Sequence, residues 1–254
     1  MTFATYPSLA GRVVFVSGGA TGIGADLVRA FARNRARVAF VDLQADPGAA
    51  LADELAAAGE TALFLECDVT DVASLQASIG RARATLGPIG VLVNNAANDD
   101  RHRVDDVTPD YWDRAQNVNL RHHFFAAQAV RPQMRELGSG SIVNLSSLAW
   151  RQGAAEMAAY AAAKAGVVGL TRALARAFGP DNIRVNAIEP GAVMTERQRR
   201  LWYTTPDSAD AVVRRQLIKS TLLGDDVAHV ALFLGADDSR MVTKQSIAVD
   251  AGLR

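Results

Sequence analysis

Tyr160 and Lys164 stand four residues apart inside the helical pattern Tyr160-Ala161-Ala162-Ala163-Lys164, so their side chains share one helix face. An unperturbed phenol, with a pKa near 10, is too weak an acid to serve as a base at neutral pH. A neighbouring ammonium, or any other bound positive charge, favours the phenolate and would lower that value. Tyr160 could then take a proton from an alcohol while hydride leaves the same carbon. Ser147, at a strand end 13 residues earlier, could hydrogen-bond the same oxygen and stabilise charge there. Tyr/Lys pairs at this spacing arise readily by chance, so the pair needs a hydride acceptor beside it to mean anything.

A site for one is written at the other end of the chain. The first apolar run leads into Ser17-Gly18-Gly19-Ala20-Thr21-Gly22-Ile23-Gly24, spaced Gly18-x3-Gly22-x-Gly24, and then into a helix. Glycines allow a tight strand-to-helix turn and close approach of a pyrophosphate, whose charge sits at the helix N-terminus. Gly18, Thr21, Gly22, Ile23 and Gly24 are therefore the candidates for a dinucleotide's phosphates; a glycine-rich turn without a ligand is the alternative. Asp42 and Leu43 end the second apolar run, 18 positions after Gly24. A carboxylate there can accept both ribose hydroxyls and would repel a 2′-phosphate. Neither Ala20 nor Leu43 supplies a cation for that phosphate, which favours NAD over NADP. Asp68 could bond the adenine amine with Val69 against the ring, and Asn94 followed by the small residues at Asn95-Ala96-Ala97 would leave room for the second ribose. Alone, Asp68 and Asn94 read equally well as turn formers.

These residues require strands that end at one edge of a sheet. Candidate strands are Arg12 to Ser17, Arg37 to Asp42, Thr61 to Cys67, Val91 to Asn94, Ser141 to Leu145, Ile183 to Ile188 and Ser246 to Val249. Their continuous apolar character suits strands buried on both faces. Helical patterns follow from Gly22 to Asn34, after Pro47 and after Asp71. Others cover Pro109 to Asn117, Leu120 to Leu137, Met157 to Phe178 and Asp225 to Leu234. The alternation predicts an α/β Rossmann fold, a doubly wound parallel sheet of seven strands in one domain spanning 1-254. The mixed stretch from Pro190 to Thr221 predicts a substrate loop with short helices.

Composition excludes several classes. Lys+Arg and Asp+Glu both total 27, which leaves no basic footprint for nucleic acid or anionic membrane. No apolar run spans a bilayer, and the residues after Met1 lack the basic-then-apolar order of a signal peptide, so the cytoplasm is the expected location. Cys67 has no partner for a disulfide and sits in an apolar run, as a small buried hydrophobe would. His122 and His123 are adjacent and His102 and His229 lack ligand spacing, so no metal site is expected.

The ordered set formed by the glycine turn, Asn94-Asn95-Ala96-Ala97, Asn119, Ser146-Ser147, Tyr160-x3-Lys164 and Pro190-Gly191 resembles the short-chain dehydrogenase/reductase family along essentially the whole chain. That resemblance implies an NAD-dependent oxidoreductase in which Ser147, rather than Ser146, is the catalytic serine. It implies that Asn119 joins Tyr160 and Lys164 by holding the lysine through a water. Thr195, with the Val193 backbone after Pro190 and Gly191, would bond the nicotinamide amide. It further implies a homo-oligomer, most commonly a tetramer, with the apolar helix carrying Val167, Val168, Leu170 and Leu174 and the tail from Val249 to Arg254 at subunit contacts. Two departures stand out: Ser17 replaces a threonine and keeps its hydroxyl, and Ala97 replaces a glycine beside the cofactor ribose.

Asn95 to His102, Asn117 to His122 and Trp202-Tyr203-Thr204 are similar to a narrower group, bacterial D-xylose 1-dehydrogenases and related aldose dehydrogenases, which oxidise C1 of a pyranose to a lactone. Asn98, Ser147, Trp150, Gln152, Tyr160, Glu189 and Trp202 are the expected substrate contacts, since amides and carboxylates bond sugar hydroxyls and Trp packs on an apolar sugar face. Asp99, Asp100, Arg101 and His102 read equally as a surface ion-pair cluster. A 3-oxoacyl carrier-protein or other carbonyl reductase is the competing enzyme, which Asp42 disfavours. A catalytically silent nucleotide-binding scaffold is the competing class.

Overall fold

The computed structural model describes residues 3–253, built around one all-parallel sheet of seven strands. The strands are β1 Val13–Ser17, β2 Arg37–Asp42, β3 Ala62–Glu66, β4 Ile89–Asn94, β5 Gly140–Leu145, β6 Ile183–Pro190 and β7 Ser246–Val249. Each falls on an expected run. Met1, Thr2 and Arg254, which belong to the expected 1-254 span, lie outside the described residues.

Parallel neighbours need long crossovers, and helices supply them. α1 Gly22–Arg33, α2 Ala45–Ala57 and α10 Gly224–Gly235 cover one face with Leu27, Phe31, Leu51 and Leu232. On the other, α3 Val72–Leu86, α5 His122–Glu136 and α7 Ala158–Phe178 contribute Leu75, Ile79, Met134 and Leu174. β1 feeds both layers, Val14 and Val16 toward one and Phe15 toward the other. Full burial of a phenylalanine such as Phe15 contributes roughly 1.5–3 kcal/mol, so the sheet centre is a main source of stability. Val167, Val168 and Leu174 are themselves buried within the chain, which corrects the expectation that they present an apolar face to a second subunit.

The strand order β3-β2-β1-β4-β5-β6-β7 reverses direction between β1 and β4. At such a switch point the loops after neighbouring strands diverge and leave a crevice at the carboxyl ends. Everything described below lies around it.

Two features differ from the expected helices. The patterns at Pro109 to Asn117 and Leu120 to Leu137 form one run, α4 Pro109–Gln116 joined to α5 through a π-helical turn, Asn117–Arg121. A widened turn shifts the 3.6-residue register, so a continuous helix reads as two. Pro47 sits inside the first turn of α2, where a missing N–H costs nothing, rather than just before it. Asp71 caps α3 by accepting from the N–H groups of Ala73 and Ser74. Between β6 and α10 the expected short helices are α8 Glu196–Leu201 and α9 Pro206–Arg215, capped by Thr195 and Thr205. A short helix, α6 Ala149–Gln152, follows β5. Among the described residues no helix is long and apolar enough to cross a membrane.

Candidate active site

A cavity of about 980 Å³ opens over the carboxyl ends of the strands at the switch point. Its floor at one end is the glycine turn. Gly18 has φ +67°, and a Cβ there would lie 2.7 Å from the Ala96 Cα; a Cβ on Gly24 would lie 1.7 Å from the Gly18 carbonyl oxygen. Neither position admits a side chain. The turn is held from β4: Asn95 Nδ2 donates to the carbonyls of Ser17 (3.1 Å) and Gly18 (2.7 Å), while the Ser17 hydroxyl accepts from the N–H groups of Asn95 and Ala96. The hydroxyl kept at position 17 thus has a structural task, and the Asn95 side chain braces the turn. Gly24→Ala is expected to open this turn, lowering stability by about 1–3 kcal/mol and weakening dinucleotide binding severely. Thermal denaturation and a nucleotide titration would read the two losses.

Asp42, at the end of β2, accepts from the N–H of Ala20 (3.0 Å) and of Gln44 (3.0 Å) and still lines the cavity. Leu43, Gln44, Pro47 and Asp68 lie in the same lining, so among the described residues this end of the cavity carries carboxylates and no cation. The Asp68 Oδ1 takes two bonds from Thr70, a local turn, and Val69 lines the wall beside it. Ala96, Ala97, Pro190, Gly191, Val193 and Thr195 complete the lining toward the other end. The exposed Ala97 methyl adds to that lining instead of clashing with it. A mononucleotide cradle at a helix N-terminus, an acidic ribose-side corner and a slot along strand ends fit an extended dinucleotide.

At the far end Ser147, Tyr160 and Lys164 meet in the same cavity, brought there by the loop after β5 and the first turns of α7. Ser146 is buried and donates to the Lys164 carbonyl (2.7 Å), while Ser147 hydrogen-bonds the Tyr160 phenol and accepts from the Ala149 N–H (3.1 Å). Lys164 is 1% exposed, donates to the Leu145 carbonyl at 2.8 Å, and holds its ammonium 5.6 Å from the Tyr160 ring centre. Burial pulls the Lys164 ammonium down to about 7, against a small opposing pull from Asp99. The phenol moves the other way: desolvation raises it above 10, and the Ser147 hydrogen bond offsets only part of that. Burial thus opposes the phenolate, and the expected lowering rests on the ammonium and a bound positive ring acting together against it.

Asn119 is 1% exposed and outside the cavity lining. Its amide is taken up locally, accepting from the Asn98 N–H (2.9 Å) and donating to the carbonyls of Asn98 (3.0 Å) and Ala115 (2.9 Å). The side chain therefore positions the loop after β4.

The expected substrate residues divide. Asn98, Ser147, Gln152 and Tyr160 line the cavity; Trp150, Glu189 and Trp202 do not. Glu189 is fully buried, clamped by Arg151 and Ser246, so its carboxylate serves the packing of α6 on β6. Trp150 and Trp202 lie beneath the guanidinium groups of Arg151 and Arg101, each 4.5 Å from the ring centre. Even Asn98 is engaged, donating to Asp100 (2.8 Å) and accepting from Arg197 (3.1 Å). Residues absent from the expected set line the same end, among them Asp99, Met157, Arg197, Gln198 and Tyr203. Of these, Asp99 was signalled by the charge cluster from Asp99 to His102, which sequence left balanced between surface and site. His102 itself packs underneath: its Nε2 accepts from the Ala159 N–H (3.4 Å), at the start of the helix that carries Tyr160.

Comparison with known proteins covers this whole architecture. A family model described as enoyl-(acyl carrier protein) reductase matches residues 18–254. The chain is 49% identical over 249 residues to the probable galactose dehydrogenase GalD of Rhizobium meliloti strain 1021, spanning 98% of this chain and 97% of that one. It is 43% identical over 254 residues to D-xylose 1-dehydrogenase of Caulobacter vibrioides, covering 100% of both. Among solved structures, a protein from Sinorhizobium meliloti 1021 described as a short-chain alcohol dehydrogenase superposes with a TM-score of 0.91 at 33% identity, over 97% of each chain.

Proposed function

The chain belongs to the short-chain dehydrogenase/reductase family, and from that premise we propose that it oxidises an aldose at C1 to the lactone with NAD, a pentose such as D-xylose or L-arabinose being the preferred sugar. What supports the sugar reading most is that two relatives aligned along nearly the whole chain are named as sugar dehydrogenases. What supports NAD is the carboxylate-lined, cation-free corner at Asp42.

NAD when bound supplies the hydride acceptor and a positive ring near Tyr160. The glycine turn with Gly18, Thr21, Gly22, Ile23 and Gly24 would hold the pyrophosphate, Asp42 and Leu43 the adenosine ribose, and Asp68 with Val69 the adenine. Asn95, Ala96, Ala97, Pro190, Gly191, Val193 and Thr195 would border the nicotinamide half. Ser147 donates to the anomeric oxygen and fixes its position. Tyr160 accepts the hydroxyl proton as C1 loses hydride, so that C1 and its oxygen become the carbonyl of the lactone. Lys164, buried and held by Leu145, orients this end and adds positive charge that favours the phenolate. Asn119 keeps the loop after β4 in register.

The chain is further proposed to form one dinucleotide-binding domain over 1-254, with a substrate segment at 190-221, and to work as a cytoplasmic homotetramer. The matched model's description favours an acyl carrier-protein reductase as the second reading. Such a reduction with NADPH would place a 2′-phosphate against Asp42, and like charges at that distance oppose it.

Cofactor choice tests the point directly. The wild type is expected to prefer NAD, and Asp42→Ala to weaken NAD about 10- to 100-fold, the loss of a charged hydrogen-bond acceptor, while NADP improves relative to NAD. Steady-state KM values for both nucleotides decide; a wild type that prefers NADP contradicts the assignment.

A further inference from the structure

Asp99 is the unassigned group at the reacting end. It lies in the loop after β4, its side chain is 19% exposed, and it lines the cavity that contains Ser147 and Tyr160. Helix α8 grips it from the opposite rim. Arg197 Nε donates to Oδ1 at 3.3 Å and Gln198 Nε2 donates to Oδ2. The other Arg197 nitrogen ties down Asn98 (3.1 Å) and Asp100 (2.8 Å). Three consecutive residues of one loop are thus fixed by a single arginine, and the Asp99 carboxylate has a set direction. It lines the same cavity as Ser147, Tyr160 and Lys164.

A carboxylate offers about four lone-pair sites, and one donor on each oxygen leaves each with a further acceptor position. A partly buried carboxylate facing a cavity seeks donors there. The reacting oxygen is already engaged by Ser147 and Tyr160, so the donor must be another group of the same substrate. We propose that Asp99 is a specificity-determining residue that accepts a hydrogen bond from the hydroxyl beside the reacting carbon, selecting neutral vicinal polyols. This inference rests on the aldose reading above and refines it. Simple alcohols leave Asp99 without a donor, and a carboxylate or phosphate beside the reacting carbon meets repulsion. Asn98, the neighbour that sequence favoured, already has its amide held by Asp100 and Arg197, one bond on each atom.

The test compares D-xylose with 2-deoxy-D-xylose and D-galactose with 2-deoxy-D-galactose, in wild type, Asp99→Asn and Arg197→Ala, with NAD binding measured alongside. A charged hydrogen bond corresponds to a 10- to 100-fold difference in kcat/KM. The wild type is expected to prefer the full sugar by about that factor, and Asp99→Asn to bring the ratio close to one with NAD binding unchanged. Arg197→Ala retains the carboxylate and is expected to retain part of the preference. Equal use of a sugar and its 2-deoxy analogue by the wild type overturns the inference while leaving the aldose reading standing. An Asp99→Asn loss equal for both sugars also overturns it, reducing Asp99 to a tether for α8. No turnover of any aldose by the wild type overturns the aldose reading and this inference with it.

Discussion

Tyr160→Phe is expected to lower kcat for the oxidation by roughly 10²–10⁴-fold, the usual contribution of a positioned general base, with NAD affinity close to wild type. The substitution removes one oxygen and leaves the ring, so the packing of α7 against the cavity is retained. Ser147 would lose its partner on the phenol but keep its bond from the Ala149 N–H. Pre-steady-state hydride transfer is the appropriate readout, because product release can mask chemistry in kcat. A variant with an unchanged transfer rate removes Tyr160 from the mechanism.

Lys164→Met is expected to abolish turnover and at the same time make the fold more stable at neutral pH. The ammonium is buried, its principal contact is one carbonyl, and burial lowers it to about 7 from 10.5. The folded state therefore holds fewer protons at this site than the unfolded chain between about pH 7 and 10.5. Stability of the wild type rises with pH across that window, because the cost of burying charge fades as the lysine becomes neutral in both states. The methionine variant lacks the cost, so its advantage is largest at pH 7 or below, on the order of 5 kcal/mol, and shrinks toward pH 10.5. Urea denaturation of both proteins at pH 7 and pH 10 reads the difference. A constant gap at the two pH values means that Lys164 does not titrate in this range. Stability given up at a working residue is a common trade in enzymes.

The sequence made some parts of this molecule legible and hid others, and the divide follows the range of the interactions. The glycine turn, the strand ends and the Tyr160/Lys164 pair are local patterns whose geometry follows from a few adjacent residues. β1, β2, β4, β5 and β6 fell where apolar runs lay because a strand buried on both faces has no polar side to disguise it. The π-helical turn at Asn117–Arg121 was hidden because it changes period without any breaker residue. Trp150, Glu189 and Trp202 have side chains suited to a sugar, yet Arg101, Arg151 and Ser246 claim them. Apart from Arg151 on its neighbour Trp150, those pairings join distant residues, about a hundred positions apart for Arg101 and Trp202, and nothing local announces them. The burial that raises the Tyr160 phenol was likewise hidden, because spacing shows that a lysine is near but not how deeply the ring is enclosed. Asp99 was visible only as charge until Arg197 and Gln198, nearly a hundred residues later, were seen to hold it.

Turnover of a panel of aldoses, with secondary alcohols as controls, in the presence of NAD and separately of NADP tests the central claim most directly. Formation of NADH from D-xylose, L-arabinose or D-galactose, with the matching lactone as product and little turnover with NADP, is the expected result. NADPH-linked reduction of acyl thioesters, or oxidation of secondary alcohols with no aldose turned over, would contradict it.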